Sequence, residues 1–249
     1  MENKLIKIMY LVLLFIIISF SIYKKAYPNN KLTCNNYILN TYLYIIISIV
    51  IVSIIVLYID NSKLISSKIL DKNTNIIFIL FFVFTIGFLL MTMIIDPRKT
   101  LLKHLSWLIF VCLIGITMYP IYLFTKMNNI FLSTLMTTLI IVILITMFAF
   151  YKPELISLSW GPVLITLLLI GIIMSIFNMV LNKNKKSQQK FVYILSYGFV
   201  VIFCFLLLYD TKKLQVNSKK CVTPDYINES IGIFLDIINL FSNLGNIKA

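Results

Sequence analysis

Only nine of the 249 residues are acidic, and two of these stand in apolar surroundings late in the chain. Asp210 closes the run Phe-Cys-Phe-Leu-Leu-Leu-Tyr that starts at Phe203, and Asp236 lies in the middle of the last apolar segment. A carboxylate at membrane depth is expensive, so it faces a bundle interior or water, where it can hold a proton or meet a cation. The residues around Asp236 extend the pattern. Glu229, Gly232, Asp236, Asn239 and Asn243 fall within about 80° of one another at 100° per residue. Ile233, Ile237, Leu240 and Leu244 lie away from them. A helix with one narrow polar seam and an apolar remainder packs centrally, against other helices or a wet cavity. The competing reading is a short amphipathic helix lying on a membrane surface, for which the apolar sector is wide and the charges few.

The elements that must position these groups are apolar runs broken by charge and Asn/Pro clusters: residues 6–23, 38–59, 76–95, 105–125, 130–151, 155–181, 191–210 and 228–245. The chain is 60% hydrophobic and 12% charged, with mean hydropathy +0.98. A soluble domain carries roughly twice that charged fraction. Runs of this length match a bilayer at 1.5 Å rise per residue. Backbone groups in hydrocarbon must be satisfied within the segment, which makes the runs helices, and they lack the period-2 alternation of barrel strands. The expected fold is an all-α membrane protein, a bundle of seven to eight transmembrane helices forming one polytopic domain over residues 1–249. Lys4 and Lys7 followed by an apolar stretch resemble a secretory signal, but no small-x-small cleavage site follows, and an uncleaved anchor helix is expected.

The net charge of +13 comes from lysines in short connectors, where they act as topology signals and headgroup contacts and not as a nucleic-acid surface. With eight spans the 22 basic residues divide evenly between the two faces, so the positive-inside rule chooses no orientation. Cys112 and Cys204 lie inside apolar runs and read as small buried hydrophobes. Cys34 and Cys221 lie in connectors on one face; a disulfide between them is open but nothing in the sequence favours it. His104 and Trp107 read as an interfacial anchor. Gly115 with Pro120, and Ser157 to Pro162, read as packing or kink positions. Glu154, beside Lys152 and Pro153, reads as a solvated helix start.

At the two aspartates the sequence resembles a known family. Tyr-Asp-Thr-Lys-Lys-Leu at 209–214 is similar to the Tyr-Asp-Thr-Gln that ends the sixth span of the Bax inhibitor-1 (transmembrane Bax-inhibitor-motif) proteins. Asp-Tyr-Ile-Asn-Glu-Ser-Ile-Gly-Ile-Phe-Leu-Asp-Ile-Ile-Asn-Leu-Phe at 225–241 is similar to their final helix. Phe148 to Phe150 and Ser157 to Pro162 resemble the fourth-to-fifth span junction of the Lifeguard and Golgi anti-apoptotic branches, and Gly115 to Pro120 the third span. The resemblance covers residues 97–245, with residues 1–96 weakly matched. Two departures stand out. The family has seven helices, six around a central seventh, against eight segments here, so either 6–23 or 76–95 is additional. Family members also carry a basic residue in an early span that latches the closed state, whereas 38–59 and 76–95 hold no Arg or Lys and Arg98 and Lys103 lie in or beside a connector.

The resemblance implies a pH-sensitive calcium leak, closed by the final helix, that modulates organelle calcium and suppresses cell death from an endoplasmic-reticulum or Golgi-type membrane. Asp210 and Asp236 would share a proton as sensor and gate, because like charges in low dielectric cannot both ionise cheaply. They are also the candidate Ca²⁺ ligands, being hard oxygen donors, with Glu229, Gly232, Asn239 and Asn243 lining the pathway. Expected partners are the bilayer, calcium ions and apoptosis-regulating membrane proteins; no cofactor is implied. The alternative is a non-conducting protein that inhibits apoptosis by binding other membrane proteins. An intramembrane aspartyl protease is disfavoured: Tyr209-Asp210 fits one half of its motif, but Asp236 follows Phe-Leu where Gly-x-Gly is required.

Overall fold

The computed structural model describes residues 2–28, 31–62, 74–181 and 185–248. Eight α-helices occupy them: α1 Glu2–Ala26, α2 Tyr37–Asn61, α3 Thr74–Ile94, α4 Thr100–Met127, α5 Phe131–Tyr151, α6 Trp160–Leu181, α7 Lys185–Lys219 and α8 Tyr226–Lys248. No strand occurs among the described residues. Seven helices, α1, α2 and α4–α8, are long and apolar enough to cross a membrane, and Val83–Ile94 of α3 is a shorter apolar stretch. The all-α reading of the apolar runs therefore holds. Lys63, Lys68, Lys72 and Lys183, which entered the charge balance, lie outside the described residues.

Two segments end elsewhere than their apolar runs do. The run 191–210 lies within a helix of 35 residues, roughly 52 Å at 1.5 Å per residue and longer than a hydrocarbon core is thick. Apolarity stops at Asp210, but the following Thr-Lys-Lys-Leu-Gln-Val keeps an amphipathic face. Thr211 and Leu214 are fully buried, and Gln215 Nε2 donates to the Ala149 carbonyl at 2.9 Å. Asp210 is thus a mid-helix residue. Residues 155–159 do not belong to α6. Pro153–Leu155 form a 3-10 turn, and the Ser157 hydroxyl accepts from the Ser159 N–H at 3.2 Å. Short-range side-chain bonds of this kind compete with helix and hold the chain in a turn until Trp160. Glu154 in that turn is exposed and 3.9 Å from Lys152.

The chain forms two compact units. The first comprises residues 1–122 and 220–231. In it α1 packs on α2, and most of the α1 surface stays exposed, including Met9 and Tyr10, as expected of a helix with lipid as neighbour. Gly115 of α4 lets the backbone approach Ile55 of α2; a Cβ there would stand 2.8 Å from Ile55 Cβ. The second comprises residues 123–219 and 232–249. In it α7 packs against α5 and α6. Gly171 admits the Phe199 ring, Gly161 admits the Tyr209 ring, and Lys248 Nζ donates to Ser133 Oγ at 2.7 Å and Thr137 Oγ1 at 2.6 Å. Pro162 sits in the first turn of α6, where its missing N–H costs nothing.

The cysteines correct the sequence reading. Cys34 and Cys221 are joined in a disulfide, with Cα atoms 5.9 Å apart. Their sequence separation of 187 hides this from any local pattern, since only the packing of the first unit brings their two connectors together.

Candidate functional site

The polar seam lies on α8, and its members have different surroundings. Asp236 is 4% exposed and Asn243 is also buried, while Glu229, Gly232 and Asn239 are half-buried. The opposite side of the helix is no freer: Ile233, Phe234 and Leu240 are fully buried. A helix covered on both its polar and its apolar side is a core element, which excludes the surface-lying alternative. The Asn239 and Asn243 amides donate to the carbonyls one turn back, at 2.8 and 2.9 Å. Their donor ends are therefore engaged by their own helix.

Within the second unit α7 brings Asp210 to this seam. A Cβ added at Gly232 would collide with the Asp210 carboxylate, 2.9 Å from its Cγ. Asp236 stands one turn further along α8. Asp210 lies nine residues before the end of α7 and Asp236 ten residues after the start of α8, about 14 and 15 Å along helices running in opposite directions. Equal depth on two antiparallel helices is what pairing requires. Asp236 Oδ2 is buried without a hydrogen-bond partner, and so is Thr211 Oγ1 beside Asp210. A buried unpartnered carboxylate oxygen is rare enough to mark a site where a proton, water or cation belongs. Among the described residues no group of three or more His, Cys, Asp or Glu side chains converges, so any cation held here would lean on two carboxylates and neutral oxygens.

A second polar cluster, in the first unit, was not legible in the sequence. Lys103, placed in or beside a connector by its spacing, is the fourth residue of α4 and only 2% exposed. Its ammonium reaches Asp225 Oδ2 at 2.5 Å and the Ile95 carbonyl at 2.8 Å. Asp225 Oδ1 accepts from the Asn228 N–H at 3.1 Å, so the same carboxylate caps α8 and pairs with Lys103. Both placements suit the helix dipoles, an anion at the start of α8 and a cation at the end of α3. Asn228 Nδ2 donates to the Met93 carbonyl at 3.0 Å, satisfying another carbonyl of the last turn of α3. Tyr226 donates from its hydroxyl to the Thr33 carbonyl. The Asp-x-x-Asn spacing signals a helix cap; nothing in the sequence signals Lys103 as its partner.

His104 and Trp107 also depart from the interfacial reading. Trp107 is buried, edge-on to Tyr44 at 5.5 Å between centroids. His104 donates from Nδ1 to the Thr100 carbonyl at 2.6 Å, so its Nε2 accepts from the Tyr44 hydroxyl at 2.7 Å, the neutral tautomer. Tyr27 joins Tyr44 at 3.3 Å, and burial pushes its phenol above the ordinary tyrosine range, keeping it a neutral donor. The reason for the departure is stacking: Tyr44 also lies against Tyr226 at 6.3 Å, and this aromatic group encloses the imidazole.

The family model described as "Inhibitor of apoptosis-promoting Bax1" matches residues 34–248. The chain belongs to the Bax inhibitor-1 family. No curated protein matches it. The family match contains the seven helices α2–α8 and begins beyond α1. The aspartate pair, Gly232 and the Lys103–Asp225 cluster all lie inside the matched region. The molecule is a multi-pass membrane protein of an anti-apoptotic family, all-helical, with its C-terminal helix buried.

Proposed function

We propose that this Bax inhibitor-1 protein is a pH-sensitive cation leak, calcium being the permeant ion, in an endoplasmic-reticulum or Golgi-type membrane. Asp210 and Asp236 share a proton. With the proton between them α7 and α8 are joined; without it, two carboxylates at one depth repel and are poorly solvated, so the helices favour a different arrangement. A local charge event then biases a two-state bundle. The observation that carries this reading is the approach of the Asp210 carboxylate to Gly232 of α8 with a buried Asp236 oxygen left unpartnered. The Bax1 description of the family equally supports the alternative, a non-conducting protein that acts by binding apoptosis-regulating membrane proteins.

Calcium flux through the purified protein in liposomes, measured between pH 5 and 8, separates the two. The native chain is expected to conduct with a single pH midpoint, and Asp236→Asn to abolish the midpoint while leaving helicity unchanged. No flux at any pH from folded protein would sink the leak and leave the partner-binding reading.

A further inference from the structure

We propose that the Cys34–Cys221 disulfide is a redox-operated clasp on the start of the final helix, closed by oxidation and released by a dithiol reductant. It joins the connector after α1 to the connector before α8, at the residues where α8 is capped. Beside it the start of α8 is held by polar contacts, among them Lys103 to Asp225, Asn228 to the Met93 carbonyl and Tyr226 to the Thr33 carbonyl. Two of these depend on where the connector places Asp225 and Tyr226, four and five residues beyond Cys221. The bond is the covalent tether of the group, one that a dithiol can break and an oxidant can re-form.

Access and electrostatics both favour exchange at this site. Cys34 and Cys221 are half-buried, with exposed flanks in Asn35, Asn36, Val222 and Thr223, unlike Cys112 and Cys204 inside their helices. Exposed Lys31, Lys219 and Lys220 lie within three residues of one or other sulfur. Neighbouring cations stabilise a thiolate, the leaving group of thiol–disulfide exchange. In the release step one thiolate of the reductant attacks a cysteine sulfur and the S–S bond breaks. The other cysteine leaves as thiolate and takes up a proton. The second thiol of the reductant then displaces the first cysteine from the mixed disulfide. Two electrons and two protons pass to the cysteines, and the reductant departs as its own disulfide.

Loss of the clasp frees the connector and with it the cap of α8. Its regulatory consequence, a change in leak, rests on the reading of α8 as the gate; the release itself does not. The full chain in lipid, with and without a small dithiol, tests both. Maleimide tagging after denaturation is expected to count two free thiols before reduction and all four cysteines after it. Hydrogen exchange at the amides of residues 228–231 is expected to quicken about ten-fold on reduction. In Cys34→Ser those amides should exchange fast from the outset and ignore the dithiol. Four free thiols in protein isolated without reductant, or exchange at 228–231 indifferent to reduction in the native chain, would overturn the clasp. Exchange that responds in a protein that never conducts would uphold the clasp and refute the leak.

Discussion

Replacing Asp225 with alanine is expected to destabilise the fold by roughly 3–5 kcal/mol, the range seen when one member of a buried ion pair is removed. For a chain of this size that corresponds to a fall of about 10 °C in the thermal midpoint. Two losses combine. Lys103, 2% exposed, is left with only the Ile95 carbonyl, too little for a buried ammonium. The first turn of α8 loses the Oδ1 cap on the Asn228 N–H, worth about 1 kcal/mol by itself. Asp225→Asn keeps an oxygen for the cap and should fall between native and alanine. Lys103→Met in the Asp225→Ala background removes the stranded charge and should restore most of the loss, because an uncompensated charge costs more than an absent pair. Melting followed by circular dichroism in detergent checks this. A midpoint lowered by under 2 °C in Asp225→Ala, or no recovery in the double variant, would show that the pair is solvated and idle.

Gly232→Ala carries the second large expectation, on function more than on stability. The new methyl must displace the Asp210 carboxylate, the far end of a short side chain, which can turn away without disturbing either backbone. The thermal midpoint should therefore move little. The geometry between Asp210 and Asp236 cannot stay the same, and the pH midpoint of flux is expected to shift by about one unit, equivalent to ~1.4 kcal/mol between protonation states. Gly115→Ala is the control with the opposite outcome. Its Cβ would press on the branched Ile55 Cβ at 2.8 Å, where no flexible end can give way, so it should cost 1–3 kcal/mol of stability, roughly, as overpacking does. It should leave the pH midpoint alone. If Gly232→Ala conducts with a native midpoint, the glycine is a packing residue and not a spacer for the aspartates.

The disulfide and the Lys103–Asp225 pair give the first unit a common theme, the fastening of the start of α8. The aspartates at 210 and 236 belong to the second unit, and α8, like α4, contributes to both. The proposed clasp and the proposed sensor can be tested with one set of variants.

The sequence by itself was enough for the all-helical membrane class, because bilayer thickness and backbone hydrogen bonding leave apolar runs of this length one solution. It also singled out Asp210, Gly232 and Asp236, since a carboxylate among apolar residues and a polar stripe at helical spacing are local patterns that need no partner to be seen. What it could not supply were the partners. The end of α7 was misplaced because apolarity stops where a helix need not: Thr211–Lys219 stay helical through an amphipathic face that only α5 and the packed interior make useful. Lys103 read as a connector cation and His104 with Trp107 as an interfacial anchor, since a charge or ring near a helix end looks the same whether it meets water or a neighbouring helix. Their burial came from Asp225 and Tyr44, 122 and 60 residues away in the chain, with Ile95 eight residues before Lys103 adding a carbonyl. The Cys34–Cys221 bond is the clearest instance. Periodicity carries information over a few helical turns, whereas pairing across most of the chain is decided by which connectors the packed helices bring together.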